Sequence, residues 1–185
     1  MTCQIQRSDR DERLSLPAKL RADCTSCHAL CCVEPAFLAV QGFRFDKPSQ
    51  VPCRMLRADD RCSIHSRLLD QGFPACVSYD CYGAGQRTVE LFKGASWRTS
   101  AGLAQRIFKV FRQLRSLHEL MAMLLIGAKC ASDENERDSL RVSLRAIEGM
   151  CSGSADQIEG IDLARLRKDV LRAVRAAVSP DAMQA

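Results

Sequence analysis

Four thiols fall within nine residues, at Cys24, Cys27, Cys31 and Cys32, and four more follow at Cys53, Cys62, Cys76 and Cys81. A thiol is a small apolar group until it loses its proton, and it then becomes a strong ligand for soft metals. Two thiols in a CxxC spacing can close on one ion across a tight turn, as they do in zinc and iron–sulfur sites. His65 stands three residues after Cys62, a spacing that would let both face one way on a helical turn. Eight thiols and one imidazole exceed a single tetrahedral site and suffice for two. Neighbouring side chains diverge, so Cys31 and Cys32 are expected to serve two centres, or one ligates while the other packs. Cys24, Cys27, Cys31 and Cys32 form the densest candidate cofactor-binding set.

Spacing leaves zinc and an iron–sulfur cluster both open, since each accepts four thiolates in a tetrahedral arrangement. A histidine ligand leans toward zinc at the centre that would hold His65, while the cysteine excess keeps a [4Fe–4S] cluster in play. Cys24 to His28 also spells CxxCH, the haem c attachment pattern. Attachment requires export, and Met1 to Arg13 carries six charged residues instead of an apolar signal core. Haem c is therefore not expected, and His28 reads as a loop residue. No Ser/His/Asp arrangement or paired carboxylates at catalytic spacing occur. His118 reads as a core or boundary histidine.

The surroundings of these residues bound the function. A net charge of +5 is mild and does not demand nucleic acid. Arg98, Arg106, Lys109, Arg112 and Arg115 form a basic run that reads as a solvated helix face. Tyr82 and Trp97 are the nearby candidates for exposed aromatics, too few for single-strand stacking. The longest apolar run, Leu120 to Ala128, is too short to cross a bilayer, which takes about 20 residues. The expectation is a cytoplasmic protein with no membrane partner and with nucleic acid only a minor alternative. A reducing compartment keeps thiols free, so dense cysteine there points to metal or catalysis in preference to disulfides or inert buried thiols. Nine of the eleven cysteines lie in the first 81 residues, leaving Cys130 and Cys151 beyond.

That clustering separates a polar lead segment (1–20), a cysteine-cluster domain (21–98) and a helical domain (99–185). Frequent Pro and Gly exclude long helices from the middle segment. Val33 to Val40 and Gly42 to Asp46 predict a short hairpin, and Ile64 to Gln71 one or two helical turns. Gly83-Ala84-Gly85 reads as a turn that lets backbone pass close to the thiols. So loop-rich a segment would draw much of its folding energy from bound metal. From Ala101 to Ala128, i, i+3, i+4 spacing of apolar residues predicts one long amphipathic helix. A second helix follows Asp133, carries Leu140, Leu144 and Ile147, and ends at Gly149 and Gly153. A third starts at Asp162, buries Leu163, Leu166, Val170, Val174 and Val178, and stops at Pro180. Trp97 is placed at the joint between the halves. The fold class is mainly α: an irregular cysteine-rich domain packed on a three-helix antiparallel bundle.

CxxCxxxCC from Cys24 to Cys32, then Cys53, Cys62-x-Ile64-His65, Cys76 and Cys81 resembles the YkgJ-type cysteine-cluster family, described as zinc- or iron-chelating. Gly72-Phe73-Pro74-Ala75-Cys76 departs from that family, which commonly has Arg-Pro shortly before the cysteine. The pattern is more similar to the cysteine-cluster module of bacterial pentapeptide-repeat-containing proteins, through Phe45 to Pro48, Cys62 to His65, Gly72 to Cys76 and Asp80 to Gln86. The resemblance covers residues 20 to 100. The present 185 residues contain no such repeats, so a function tied to them, such as DNA mimicry, is not expected to carry over. What the resemblance implies is a metal- or cluster-binding protein with a structural, carrier or redox role and a possible protein partner. Some members of the wider family are associated with protein lysine N-methylation, which implies the rival reading of an iron–sulfur enzyme that modifies a protein or small molecule. A zinc-stabilised nucleic-acid-binding module is a third reading.

Overall fold

The computed structural model describes residues 16–178, which form seven α-helices, four short 3-10 turns and two isolated β-bridges. The protein is mainly helical. It divides into two compact units: Ala22–Arg115, and the described parts of Met1–Arg21 and Ser116–Ala185. The boundary falls inside the longest helix.

In the cysteine-rich unit the helices are short. They are α1 (Leu30–Val33), α2 (Pro74–Ser78) and α3 (Ala84–Leu91), followed by the N-terminal half of α4 (Ala101–Cys130). The expected hairpin reduces to one antiparallel bridge, Phe37 to Lys47, with hydrogen bonds of 2.8 and 2.9 Å. Asp46 explains why: its carboxylate accepts from the Ala39 N–H at 2.7 Å, favouring a 3-10 turn at Ala39–Gln41 over continued pairing. Gly42 closes that turn at φ +91°, where a side chain would be strained. Around the bridge, Phe37 stacks on Phe43 with ring centroids 4.3 Å apart, and Phe45 meets the buried Phe73 edge-on at 5.3 Å. The expected helical turns between Ile64 and Gln71 amount to one 3-10 turn, His65–Arg67.

The α4 half in this unit buries Ile107, Phe108, Val110, Phe111 and Leu114. Members of its basic run also meet partners in this unit. Arg112 pairs with the buried Glu34 at 2.6 Å, Arg115 lies over the Tyr79 ring, and Arg106 lies over Phe92. Arg98 stacks on Trp97 at 4.2 Å and pairs with Asp60 at 2.9 Å. Arg98, Arg106, Lys109 and Arg112 remain exposed, as expected of a solvated face, while the guanidinium groups among them meet these partners. Trp97 donates from its indole N–H to the His28 carbonyl at 2.9 Å and packs beside Phe108.

The second unit joins the C-terminal half of α4 to α5 (Glu134–Cys151), α6 (Ala155–Glu159) and α7 (Leu163–Val178). At about 1.5 Å per residue α4 is about 45 Å long. Gly127 lets the helices approach: a Cβ there would stand 3.3 Å from both Leu140 of α5 and Val174 of α7. Asp133 caps α5 by accepting from the Asn135 N–H at 2.9 Å, and Asp162 accepts from the Arg165 N–H at 3.1 Å at the head of α7. Two boundaries differ from expectation. Gly149 is an interior residue of α5, and Ser154 with Gln157 forms a capping box that starts the unexpected α6. The α7 stripe closes on the buried Ala177, whereas Val178 is 39% exposed. Pro180, Cys3 and most of the lead segment lie outside the described residues. Leu20, at the end of that segment, is fully buried, and neighbouring Lys19 reaches Glu148 at 2.6 Å.

Candidate metal centres

Local backbone geometry aims the thiols. Asp23 opens the turn carrying Cys24: its carboxylate accepts from Thr25 Oγ1 at 2.5 Å, Ser26 Oγ at 2.8 Å and the Thr25 N–H at 2.9 Å. Those bonds, led by the Thr25 hydroxyl, hold Asp23 down at about 2. Arg61 donates to the Cys24 carbonyl, and the Asp23 N–H donates to Gln86 of α3. After Cys27 the chain turns left-handed at Ala29 (φ +53°) into α1, which carries Cys31 and Cys32. The Leu30 and Ala29 N–H groups point at the Cys27 sulfur. Opposite it lies α3, where a Cβ on Gly85 would stand 2.6 Å from Cys27 Sγ. Only glycine permits that approach, as the Gly83-Ala84-Gly85 reading anticipates. Cys81 sits just before α3, its carbonyl accepting from the Ala84 N–H at 2.9 Å.

The remaining thiols are tied to Cys32. The Cys53 N–H donates to the Cys32 carbonyl at 2.9 Å. The Met55 N–H points at Cys53 Sγ at 3.5 Å, and the Ile64 N–H at Cys62 in the same two-residue step. An antiparallel bridge between Leu56 and Cys62 and a 2.8 Å bond from the Ser63 N–H to the Met55 carbonyl close this loop. Cys76 lies on α2, anchored by the Ala75 N–H to the Gly42 carbonyl at 3.1 Å.

The electrostatics join the two groups of thiols through Cys32. Burial pushes Cys27 up to about 11, and Cys81 and Cys24 add to it. Burial also raises Cys24, with Cys81 and then Cys32 adding. Cys76 is pushed up to about 11 by burial, then by Cys32, Cys53 and Cys62. Cys53 and Cys62 rise for the same first reason, each repelled by Cys32. Cys31 and Cys32 are 4.0 Å apart, and the bond between them favours the thiolate on Cys32 and the thiol on Cys31.

Four thiolates around one zinc at about 2.3 Å would lie about 3.8 Å from one another. Among the described residues no three Cys, His, Asp or Glu side chains converge that far, and the cysteines are free thiols. Closing on an ion therefore requires rotation of thiols that repel one another once ionised.

Lys47 is a residue the sequence reading passed over. It is 4% exposed, its ammonium donates to the carbonyls of Val33, Pro48 and Val51 at 2.8–2.9 Å, and it lies over the Phe37 ring. Burial lowers it, while Cys53, Cys32 and then Glu34 pull the other way. It is the sole lysine between Lys19 and Lys93, which was the available signal.

His28 is engaged by a carbonyl and a carboxylate, and His65 is exposed. His28 Nε2 faces the Gly94 carbonyl at 3.1 Å, and Nδ1 faces Asp60 at 3.3 Å. His65 is exposed at the start of its 3-10 turn, whereas Cys62 belongs to the bridge before it, so the two do not share a helical turn. His118 is buried in the other unit, on α4. An open cleft of about 790 Å³ borders Cys27, lined also by Thr25, Ser26, His28, Asp60 and Lys93.

The fold and this thiol array define a mainly helical, cysteine-rich protein. Over 152 residues, 82% of its length, it is 33% identical to the Bacillus subtilis (strain 168) protein named "Uncharacterized protein YybG", of which 54% is covered. The chain thus spans about half the length of the curated relative it matches. No family model matches the chain, and no solved structure matches it. No helix among the described residues is long and apolar enough to cross a membrane.

Proposed function

We propose that the cysteine-rich unit is a cytoplasmic metal-binding module of the YkgJ-like kind, holding zinc or an iron–sulfur cluster in a structural, carrier or redox role. The observation that carries this reading is the proximity of the thiols: Cys31 Sγ stands 4.0 Å from Cys32 Sγ, Cys53 is bonded through its backbone to Cys32, and Cys27 lies against Gly85 of the helix that Cys81 precedes. Thiols held this close gain from an ion that removes their protons and binds the resulting thiolates. Backbone N–H groups aimed at Cys27, Cys53 and Cys62 favour the ionised sulfur as well.

The test is anaerobic purification, with an absorbance spectrum and elemental analysis on one sample. Iron with acid-labile sulfide supports a cluster, and one or two zinc ions per chain support a structural or carrier module. Absence of both metals overturns the reading.

One feature favours the enzyme alternative, in which a protein or small molecule is modified by group transfer. The open cleft borders Cys27, and an enzyme needs such a pocket beside its metal whereas a structural site is closed by four protein ligands. Calorimetric titration of the metal-loaded protein with S-adenosylmethionine separates the two. Binding that is lost on filling the cleft with Ser26→Trp supports the enzyme, and absence of binding removes a methyl-transfer role.

A further inference from the structure

Cys31 and Cys32 do not diverge as the sequence reading expects of neighbours: their sulfurs face each other at 4.0 Å. We propose that the two form a two-thiolate clamp for one copper(I) ion, a site that does not depend on whether the other thiols hold zinc or a cluster.

The backbone that carries the pair is held from several sides. The Cys32 N–H donates to the Ala29 carbonyl at 2.8 Å, and the Glu34 N–H to the Leu30 carbonyl at 2.9 Å. The Cys32 carbonyl accepts from the Cys53 N–H at 2.9 Å, the Val33 carbonyl from Lys47 Nζ at 2.9 Å, and the Glu34 carbonyl from Ser49 Oγ at 2.7 Å. Leu30 and Val33, which flank the two cysteines, are fully buried. The cysteines themselves are half-buried, so an ion can reach them. Side-chain rotation is what remains to adjust the sulfurs.

Those restraints oppose a disulfide and suit a clamp. Neighbours joined by a trans peptide have Cα atoms about 3.8 Å apart, whereas a disulfide ordinarily spans about 4.4–6.8 Å between Cα atoms. Joining the two sulfurs would therefore distort α1 and strain its bonds to Ala29 and Cys53. An ion asks for less. Zinc and iron–sulfur clusters take at least three protein ligands, and among the described residues no three Cys, His, Asp or Glu side chains converge. Copper(I) is a soft ion that thiolates select, and two of them satisfy it in a near-linear arrangement. A small rotation that parts the sulfurs admits the ion between them. Binding displaces one proton from each thiol, so Cu⁺ and two S–H groups give a singly negative S–Cu–S bridge and two protons, with no electron transferred.

The experiment titrates the full metal-free chain with copper(I), under anaerobic reducing conditions, against a chromogenic copper(I) chelator, with helical content checked by circular dichroism. The wild type should hold one equivalent more tightly than the rest, and X-ray absorption should find two sulfur neighbours around that copper. Cys31→Ser and Cys32→Ser should each weaken the tight equivalent by more than about a hundredfold, beyond what losing an outer-shell partner costs. Cys24→Ser and Cys76→Ser should leave it in place. If a serine variant at the pair misfolds, X-ray absorption on the wild type decides alone. Three or four sulfur neighbours, equal weakening in Cys24→Ser or Cys76→Ser, or no equivalent held against the chelator overturns the proposal. Ready formation of a Cys31–Cys32 disulfide in wild type exposed to glutathione disulfide, read by peptide mapping, overturns it as well, because the backbone would then yield. A protein that purifies with zinc or iron yet fails these tests keeps the metal-binding reading above and loses the copper clamp.

Discussion

Gly85→Ala places one methyl group where the structure has no room for it. The new Cβ would stand 2.6 Å from Cys27 Sγ and 3.4 Å from Cys27 Cβ. Ordinary contact is about 3.5–4.0 Å, so the sulfur must retreat by about 1 Å. Overpacking of a filled site costs about 1–3 kcal/mol. Replacing glycine inside a helix returns at most about 1 kcal/mol, and less at Gly85, which lies in the first turn of α3. The balance is a loss of about 1–2 kcal/mol, or a fall in Tm of about 2–8 °C for a chain of this size. The control is Gly149→Ala, within α5, where a Cβ meets nothing within 4 Å. That change should stabilise by about 0.5–1 kcal/mol. Thermal unfolding followed at 222 nm, with metal content measured on each sample, reads both effects. Gly85→Ala should also lower metal occupancy, because the displaced sulfur is a proposed ligand. If it raises Tm as the control does and leaves metal content unchanged, the close approach of α3 to Cys27 is not a constraint and the reasoning fails.

Alkaline pH should separate metal-free from metal-loaded protein. Cys27 and Cys76 are raised from an ordinary 9.0 to about 11, chiefly by burial. The folded metal-free chain therefore keeps protons that the unfolded chain has lost. Its stability should be full below pH 9 and decline as pH rises from 9 toward 11. With metal bound those protons are gone, and the loss should move to the acid side, where protons compete for sulfur. Tm measured from pH 5 to 11 with and without chelator checks this, and a flat alkaline limb in the chelated sample would refute it. In the helical unit, Leu140→Ala should cost about 2–5 kcal/mol, since Leu140 is 1% exposed and packs at Gly127. Val142→Ala, at 57% exposure, should change stability by less than about 0.5 kcal/mol. Urea unfolding compares the two, and equal midpoints would place Leu140 outside the core.

The long helices were legible because their apolar period is sustained. Leu103 to Ala128 repeats for seven turns, and Asp133 and Asp162 supply side-chain caps that need no tertiary context. The short elements were not. Pro74–Ser78 and Ala84–Leu91 are too brief for a period to emerge, and the Ser154–Gln157 capping box was readable but lay just beyond two glycines taken as a stop. Periodicity also says nothing about which neighbour covers a stripe, so the division of α4 near Arg115 was invisible. For the candidate site, the thiols and the Gly85 approach were readable from residue type and spacing. Lys47 was not, because a lysine in a loop reads as solvated until its three carbonyl partners are seen.

The passage of one helix from the first unit into the second gives the chain a schedule during synthesis. Cys24 to Cys81 leave the ribosome before the α4 segment that supplies Phe108, Phe111 and Leu114 to their unit. At roughly 5–20 residues per second the thiols spend a few seconds without that cover. In that interval the nascent chain exposes Cys24 to Cys81 to whatever ion, cluster donor or oxidant reaches it first, so that, on the metal-binding proposal, metal supply at the moment of translation decides how the protein is loaded.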